Sequence, residues 1–334
     1  MWHLGIDLHR TTIVLAAVND TGKTVEPVTL RCEDTAAIVA AVRKFKGFRA
    51  VIEATGTYRW LYHLLRPYGT VLLAHPMRLR AMIQRRSKTD KLDAQLLANL
   101  LRINQIPLAY IPPEPYQQLR DLTRCRARLV RDQAEVKIRL RGLLGRLNRQ
   151  SPFRVPFGPR GLAWFRRQDF GRVENIVRDE WLARLEHFRR QIAILDEQLG
   201  KLPAAFPQIE ALLGIRGIGL YAALLIVAEL GEVDRFRTAR QVGAYAGLTA
   251  RVHQSGEHCY RGSITRHGSP WLRWILVQAA MHATRDDRSL KNFYTRVRKR
   301  SSAKIARVAT ARKLAEICWK RLRRWQALHA GQAA

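Results

Sequence analysis

The first hundred residues alternate short apolar runs with turn residues. In Trp2 to Val18 the runs WHLGIDL and IVLAAV flank a polar segment, which predicts strand, tight turn, strand. Asn19 to Gly22 supply the next turn, and Lys23 to Leu30 a third strand. Thr35 to Lys46 is predicted helical, with Ile38, Val39 and Val42 on one face. Ala50 to Glu53 predicts a short buried strand, Trp60 to Tyr68 a helix and Thr70 to Ala74 another strand. Asp90 to Asn104 has leucines at 92, 96, 97, 100 and 101, a helical spacing. Strands interleaved with helices predict an α/β domain, a sheet covered by helices, over residues 1–110.

The pattern then changes. Ile111 to Pro115 (IPPEP) is a break. Tyr116 to Arg149 repeats Leu and Val at helical spacing (Leu119, Leu122, Leu129, Val136, Leu140, Leu143, Leu144, Leu147), which predicts one arm of a long helical hairpin or coiled coil. Ser151 to Gly161, rich in Pro and Gly, reads as the tip, and Arg172 to Leu202 as the returning arm. Pro203 and Pro207 mark the next boundary. A compact helical unit is expected from Ile209 to about Thr284, followed by one or two basic helices over Lys291 to Arg324. The expected domains are 1–110, 111–205 and 206–334.

Charge narrows the partners. The chain has 334 residues, with 59 Lys and Arg against 27 Asp and Glu, a formal charge of +32. A fold so charged repels itself and favours a polyanion, and nucleic acid is the natural candidate. Binding to it should weaken steeply as salt rises. A composition of 47% hydrophobic residues excludes wholesale disorder. The four cysteines form no CxxC pair, which argues against a zinc ribbon or a disulfide framework. MWHLGIDLHR reads as the start of a strand rather than a signal peptide. The most apolar stretch, Ala211 to Leu230, is interrupted by Arg216 and Glu229, against a membrane span. The expected location is the cytoplasm of a bacterium, in association with the nucleoid.

Residues 1–110 contain eight acidic side chains. Four stand in contexts that suggest chemistry: Asp7 on an apolar strand (GIDLH), Glu53 ending AVIEATG, and Asp90 and Asp93 in KTDKLDA, one helical face apart at i and i+3. Singly, each fits a turn, a cap, an ion pair or a solvated helix start. Together they form a set that divalent cations would relieve of mutual repulsion, and Mg²⁺ prefers oxygen ligands and bridges to phosphates. The order strand-Asp, strand-Glu, helix-DxxD resembles an RNase H-like fold of the RuvC type.

Two features mark the carboxyl half. Leu212 to Leu230 places Gly217-Ile218-Gly219 between apolar segments. This resembles a helix-hairpin-helix, whose backbone N–H groups can cradle a phosphate; a plain helical corner is the alternative. Gly243 to Arg273 gathers Ser255, Ser263 and Ser269 with Arg251, Arg261, Arg266 and Arg273 in a glycine-rich loop. There a serine could reach a phosphorus and arginines could stabilise the developing charge. A serine that only hydrogen-bonds backbone is the alternative. Trp271, Trp274 and Tyr260 suit either base stacking or core packing.

GIDLH, IEATGTY and KTDKLDA, followed by QVGAYAGL, QSG and GSITRHGSPWLR, resemble the two motif sets of the insertion-sequence family one-ten transposases, DEDD-type enzymes with a RuvC-like domain that act as bridge-RNA-guided serine recombinases. The resemblance departs at Ala250, where the family commonly has proline after GLT. It implies that Asp7, Glu53, Asp90 and Asp93 hold Mg²⁺ (or Mn²⁺) and that Ser255 is the nucleophile forming a phosphoserine link to DNA. It implies as partners donor and target double-stranded DNA, a structured noncoding bridge RNA, and a homo-oligomer built as a dimer of dimers. Gly217, Gly219, Arg251, Arg261, Arg266, Arg273 and the run Arg298, Lys299, Arg300 are the expected nucleic-acid contacts. No GxxxxGK[ST] motif occurs, consistent with strand exchange that needs no ATP. A RuvC-like junction resolvase or nuclease with a structural serine, and a non-catalytic nucleic-acid-binding protein, are the competing readings.

Overall fold

The computed structural model describes residues 1–82, 89–255 and 258–329, except for the side chains of His253, Ser255, His258, Cys259 and Arg261. It divides into two compact units, Met1–Ile111 and Pro112–Ala334.

The first unit is built on strands β1 (Trp2–Leu8), β2 (Thr12–Asn19) and β3 (Thr24–Arg31), helix α1 (Thr35–Arg43), strand β4 (Arg49–Glu53), helix α2 (Tyr58–Leu65), strand β5 (Thr70–Ala74), helices α3 (Pro76–Met82) and α4 (Asp90–Arg102), and strand β6 (Leu108–Ala109). The sheet order is β3-β2-β1-β4-β5-β6. β1 pairs antiparallel with β2 and parallel with β4, and β4 pairs parallel with β5. Such a mixed sheet covered by helices is compatible with a RuvC-like domain.

Period-two alternation sorts the strand side chains between two faces. Leu4, Ile6, Ile13, Leu15 and Ile52 pack with Ile38, Val42, Leu61 and Leu65 of α1 and α2. On the opposite face, Val51 and Ala74 pack with Leu97 and Leu101 of α4, and Val14 and Ala16 with its Ala94. Gly5 and Asp7, out of phase with Leu4 and Ile6, lie on the α4 face. A Cβ on Gly5 would sit 2.0 Å from the Ala94 carbonyl oxygen and 2.4 Å from the Ala98 nitrogen. Strand backbone therefore touches helix backbone, and only glycine allows it. Thr89 caps α4, its hydroxyl accepting from the Leu92 N–H at 3.3 Å, and Asp90 and Asp93 occupy the first turn. Acids there interact favourably with the helix dipole.

The second unit opens with α5 (Glu114–Arg146), followed by α6 (Pro159–Arg167) and α7 (Arg172–Gly200). α5 and α7 form the two arms of a helical hairpin. Near its tip Val136, Leu140, Phe157, Leu162, Phe165, Leu182 and Leu185 make a small core. The connection expected to be only a Pro/Gly-rich tip also contains α6, because Pro159 sits at the first position of a helix that buries Leu162 and Phe165. At the other end Leu119 of α5 and Leu199 of α7 join a larger core with the elements that follow. These are α8 (Glu210–Leu213), α9 (Leu220–Leu230), α10 (Ala239–Tyr245), strands β7 (Ala250–Ser255) and β8 (His258–Ile264), α11 (Pro270–Asp286), α12 (Arg288–Arg300) and α13 (Ala303–His329).

The expectation of an all-helical carboxyl-terminal domain is corrected here, since it also contains two strands. Strands β7 and β8 pair antiparallel, Val252 with Arg261 and Ser255 with His258. The segment before α9 is also shorter than the expected pair of apolar helices, since α8 has only four residues.

Candidate functional site

Asp7 stands one residue before the end of β1, and Glu53 is the last residue of β4. Ile6 pairs with Ile52, so Asp7 and Glu53 follow at the same level on neighbouring parallel strands. α4, held against β1 through Gly5, brings its first turn to this end of the sheet. Asp7 is half-buried, and burial pushes its carboxyl above the ordinary carboxylate range. His9 opposes that shift, while the charges of Asp90 and Asp93 add to it. β1 and α4 thus bring Asp7 and Asp90 together.

A residue without an assigned role in the sequence completes this cluster. His9 Nε2 lies 3.1 Å from Asp7 Oδ2 and 3.2 Å from Asp90 Oδ2. Donor atoms of Asp7, His9 and Asp90 all fall within 4.8 Å of one another. Glu53 and Asp93 lie outside that close trio. Asp7 and His9 are two residues apart, the spacing that repeats one face of a strand, and that signal is legible in GIDLH.

Ser255 ends β7 at the tip of the hairpin. Its side chain, that of Arg261, Gly256 of QSG and Lys88 of KTDKLDA lie outside the described residues. The root of the hairpin is tightly tied. The Thr265 N–H donates to the Thr249 carbonyl at 2.8 Å, and the Ser269 N–H to the Tyr245 carbonyl at 3.0 Å. Gly247 has φ +66°, and a Cβ on Gly268 would lie 2.1 Å from the Tyr245 carbonyl oxygen. Arg273 donates to the Ala246 carbonyl at 3.1 Å, and burial lowers its pKa from the ordinary arginine value. Arg273 therefore braces the hairpin root, whereas Arg251 and Arg266 are exposed.

Below the root lies a buried acid that the sequence reading used only to argue against a membrane span. Glu229, 1% exposed, takes a bidentate contact from Arg124 at 2.7 and 2.9 Å. It also accepts from the Ser269 hydroxyl at 2.8 Å. Ser269 caps α11 by accepting from the Leu272 N–H at 3.1 Å. Arg120 donates to the carbonyls of Ala228 and Glu229 at 2.7 Å each. Ser269 is thus committed to structure, while Ser263 is exposed on β8.

The glycine turn divides in role. Gly217 has φ +86°, and a Cβ there would meet the Ala283 nitrogen at 2.4 Å, so its bareness serves contact with α11. Gly219 precedes α9 and has open space where a Cβ would go. Trp271 and Trp274 partly pack on the core and line a groove of about 530 Å³ with Ala127, Arg128 and Val130 of α5. Tyr260 is exposed. Arg298, Lys299 and Arg300 form the exposed last turn of α12.

Comparison with known families decides what these two clusters belong to. Residues 4–148 match the model of the DEDD-type IS110 domain, described as "Transposase", and residues 209–295 match the model described as "Transposase IS116/IS110/IS902 family". The chain belongs to the IS110 transposase family. The first match spans all four candidate acids, and the second spans Ser255 and the hairpin root. Among relatives, the transposase for insertion sequence element IS1111A of Coxiella burnetii is 26% identical over 98% of this chain and 91% of its own length. A "Probable family 20 transposase" of Pseudomonas aeruginosa is 28% identical over 82% of this chain and 83% of its own. The "Pilin gene-inverting protein" of Moraxella bovis is 26% identical over 69% of this chain and 66% of its own.

A transposase of this type cuts and rejoins DNA, and its DEDD domain implies a divalent metal. The Asp7–His9–Asp90 donor set is suited to one: three donors converge, and a buried carboxyl with raised pKa gains from a cation beside it. No helix among the described residues is long and apolar enough to cross a membrane.

Proposed function

We propose that this transposase is an RNA-guided DNA recombinase that joins donor and target DNA through a covalent phosphoserine at Ser255. The observation that carries the reading is that one chain holds both an acidic convergence of nuclease type and a serine at the tip of a hairpin whose root is locked by Arg273, Gly268 and Ser269. A nuclease that activates water has no need of such a serine.

Asp7, Glu53, Asp90 and Asp93 would hold Mg²⁺ or Mn²⁺, which would supply charge stabilisation at the scissile phosphate. The Ser255 oxygen attacks phosphorus and forms a P–O bond. The bond to a deoxyribose oxygen breaks, and the proton lost by serine is matched by the one that sugar oxygen gains. Attack by a sugar hydroxyl of the exchanged strand then restores the phosphodiester and frees Ser255. The ester energy is conserved throughout, so no nucleotide cofactor is required. Arg251, Arg261 and Arg266 offer cations to the phosphate; Gly219 leaves the amino end of α9 open to a backbone phosphate in the manner of a helix-hairpin-helix. The basic arms, α5 and the Arg298–Arg300 turn, follow the backbones of DNA and of a structured bridge RNA, and base pairing reads sequence. The assembly is a tetramer, a dimer of dimers made through the helical hairpin. Each active site then takes its acids from one protomer and its serine from another. The printed name of the Moraxella relative, an inverter of a gene segment, fits conservative recombination.

The test is a denaturing gel of protein incubated with labelled donor DNA and its bound RNA. Wild type should give a protein–DNA adduct and recombinant product, and Ser255→Ala neither. Cleavage that persists in Ser255→Ala would assign the chain to water-using nucleases instead. Sequencing the RNA that copurifies from cells carrying the whole element tests the guide.

A further inference from the structure

We propose that His9 is a nitrogen ligand of the divalent cation at Asp7 and Asp90, and that it favours Mn²⁺ over Mg²⁺ at this site. The inference rests on the metal reading above and adds a ligand outside the four acids. His9 follows β1 directly, and its backbone N–H is fixed by donation to the Thr12 carbonyl at 2.9 Å, closing the β1–β2 turn. The imidazole is thereby aimed from the strand end at both carboxylates, Nε2 lying 3.1 Å from Asp7 and 3.2 Å from Asp90.

His9 Nε2 is within hydrogen-bond distance of Asp7 Oδ2, and two further features suit these atoms to a shared cation. A single ring nitrogen carries at most one proton, yet it approaches two carboxylate oxygens from two different elements at nearly equal distance. The spacing also suits a shared ion. Cis ligands about 2.1 Å from an octahedral cation stand about 3.0 Å apart, close to both observed separations. Mg²⁺ strongly favours oxygen donors, whereas imidazole suits transition-metal ions. A mixed set of two carboxylates and one imidazole therefore shifts preference toward a transition-metal ion.

The experiment uses the full-length, metal-stripped protein with Mn²⁺ as probe. Continuous-wave EPR counts bound Mn²⁺, and pulsed EPR reads the ¹⁴N coupling of a directly bound imidazole. Wild type should bind Mn²⁺ with a ¹⁴N coupling. His9→Asn, at an exposed position that leaves the fold in place, should lose the coupling and bind Mn²⁺ roughly tenfold or more weakly. Its Mg²⁺ affinity, measured by competition, should be nearly unchanged. Mn²⁺ bound by wild type without a nitrogen coupling, but lost in Asp7→Asn, would overturn the role of His9 and leave the acid site intact. Wild type that binds no Mn²⁺ at all would overturn both.

Discussion

At the scale of single residues, the two clusters store charge in opposite ways. Asp7 is ionised at a cost in the metal-free protein, because burial, Asp90 and Asp93 raise its pKa above 3.8. A raised carboxyl contributes stability that is present below the unfolded pKa and is lost as pH rises through the folded one. Asp7→Asn removes that loss. The metal-free variant should therefore melt at or above the wild-type temperature at neutral pH, with the gap closing as pH falls toward 4. The same variant should lose metal binding. Thermal melts at several pH values check the sign, and a gap that widens in acid would contradict it. Glu229 is buried and paired with Arg124 and Ser269. Glu229→Ala strands a partly buried guanidinium and frees the cap of α11, so about 3–5 kcal/mol of stability should be lost in denaturant titrations. The more exposed Arg126–Asp196 pair should yield only about 0–1 kcal/mol in Asp196→Ala.

At the scale of elements, the site depends on how close α4 lies to β1. The contact at Gly5 is backbone on backbone, so Gly5→Ala must push strand and helix apart. Overpacking of this kind costs roughly 1–3 kcal/mol or more. Its sharper consequence is geometric, since Asp90 moves with α4 while Asp7 and His9 move with β1. Gly5→Ala should keep its far-UV circular dichroism and yet bind Mn²⁺ much more weakly, which equilibrium dialysis can read. Unchanged affinity would mean that the helix start is positioned by something else. The helix and strand pair involved is legible in the sequence, because Leu92 to Leu101 has clear helical spacing and β1, β2, β4 and β5 are each built mainly of apolar residues. What was not legible has a physical pattern. In β7 and β8 the apolar side chains of Val252 and Tyr260 are exposed, so hydrophobic periodicity carries no signal there. β6 has two residues and α3 seven, too short for a period to emerge. At Gly217 the sequence shows a missing side chain but not the α11 backbone that lies where a Cβ would go. The Glu229 pairing carries no local signal, because Arg124 lies 105 positions away.

At the scale of the whole molecule, each unit has its own core, and each carries one half of the proposed chemistry: acids in Met1–Ile111, serine in Pro112–Ala334. A formal charge of +32 makes close approach of several protomers unfavourable unless a polyanion lies between them. In the proposed tetramer, assembly and substrate binding would then be one event, with nucleic acid neutralising surfaces that otherwise repel. A site shared between protomers would also keep an isolated chain from cutting DNA outside the assembled complex. The consequence can be tested by complementation. Asp7→Asn removes a proposed metal ligand and Ser255→Ala the proposed nucleophile, so each alone should be inactive. Mixed in equal amounts before nucleic acid is added, they generate sites that join the intact acids of one variant to the intact serine of the other. With random pairing, about one site in four is competent, and adduct formation should recover to roughly that fraction. Acids and serine working within a single protomer would give no recovery at any mixing ratio, because every chain would then carry one defective half of its own site.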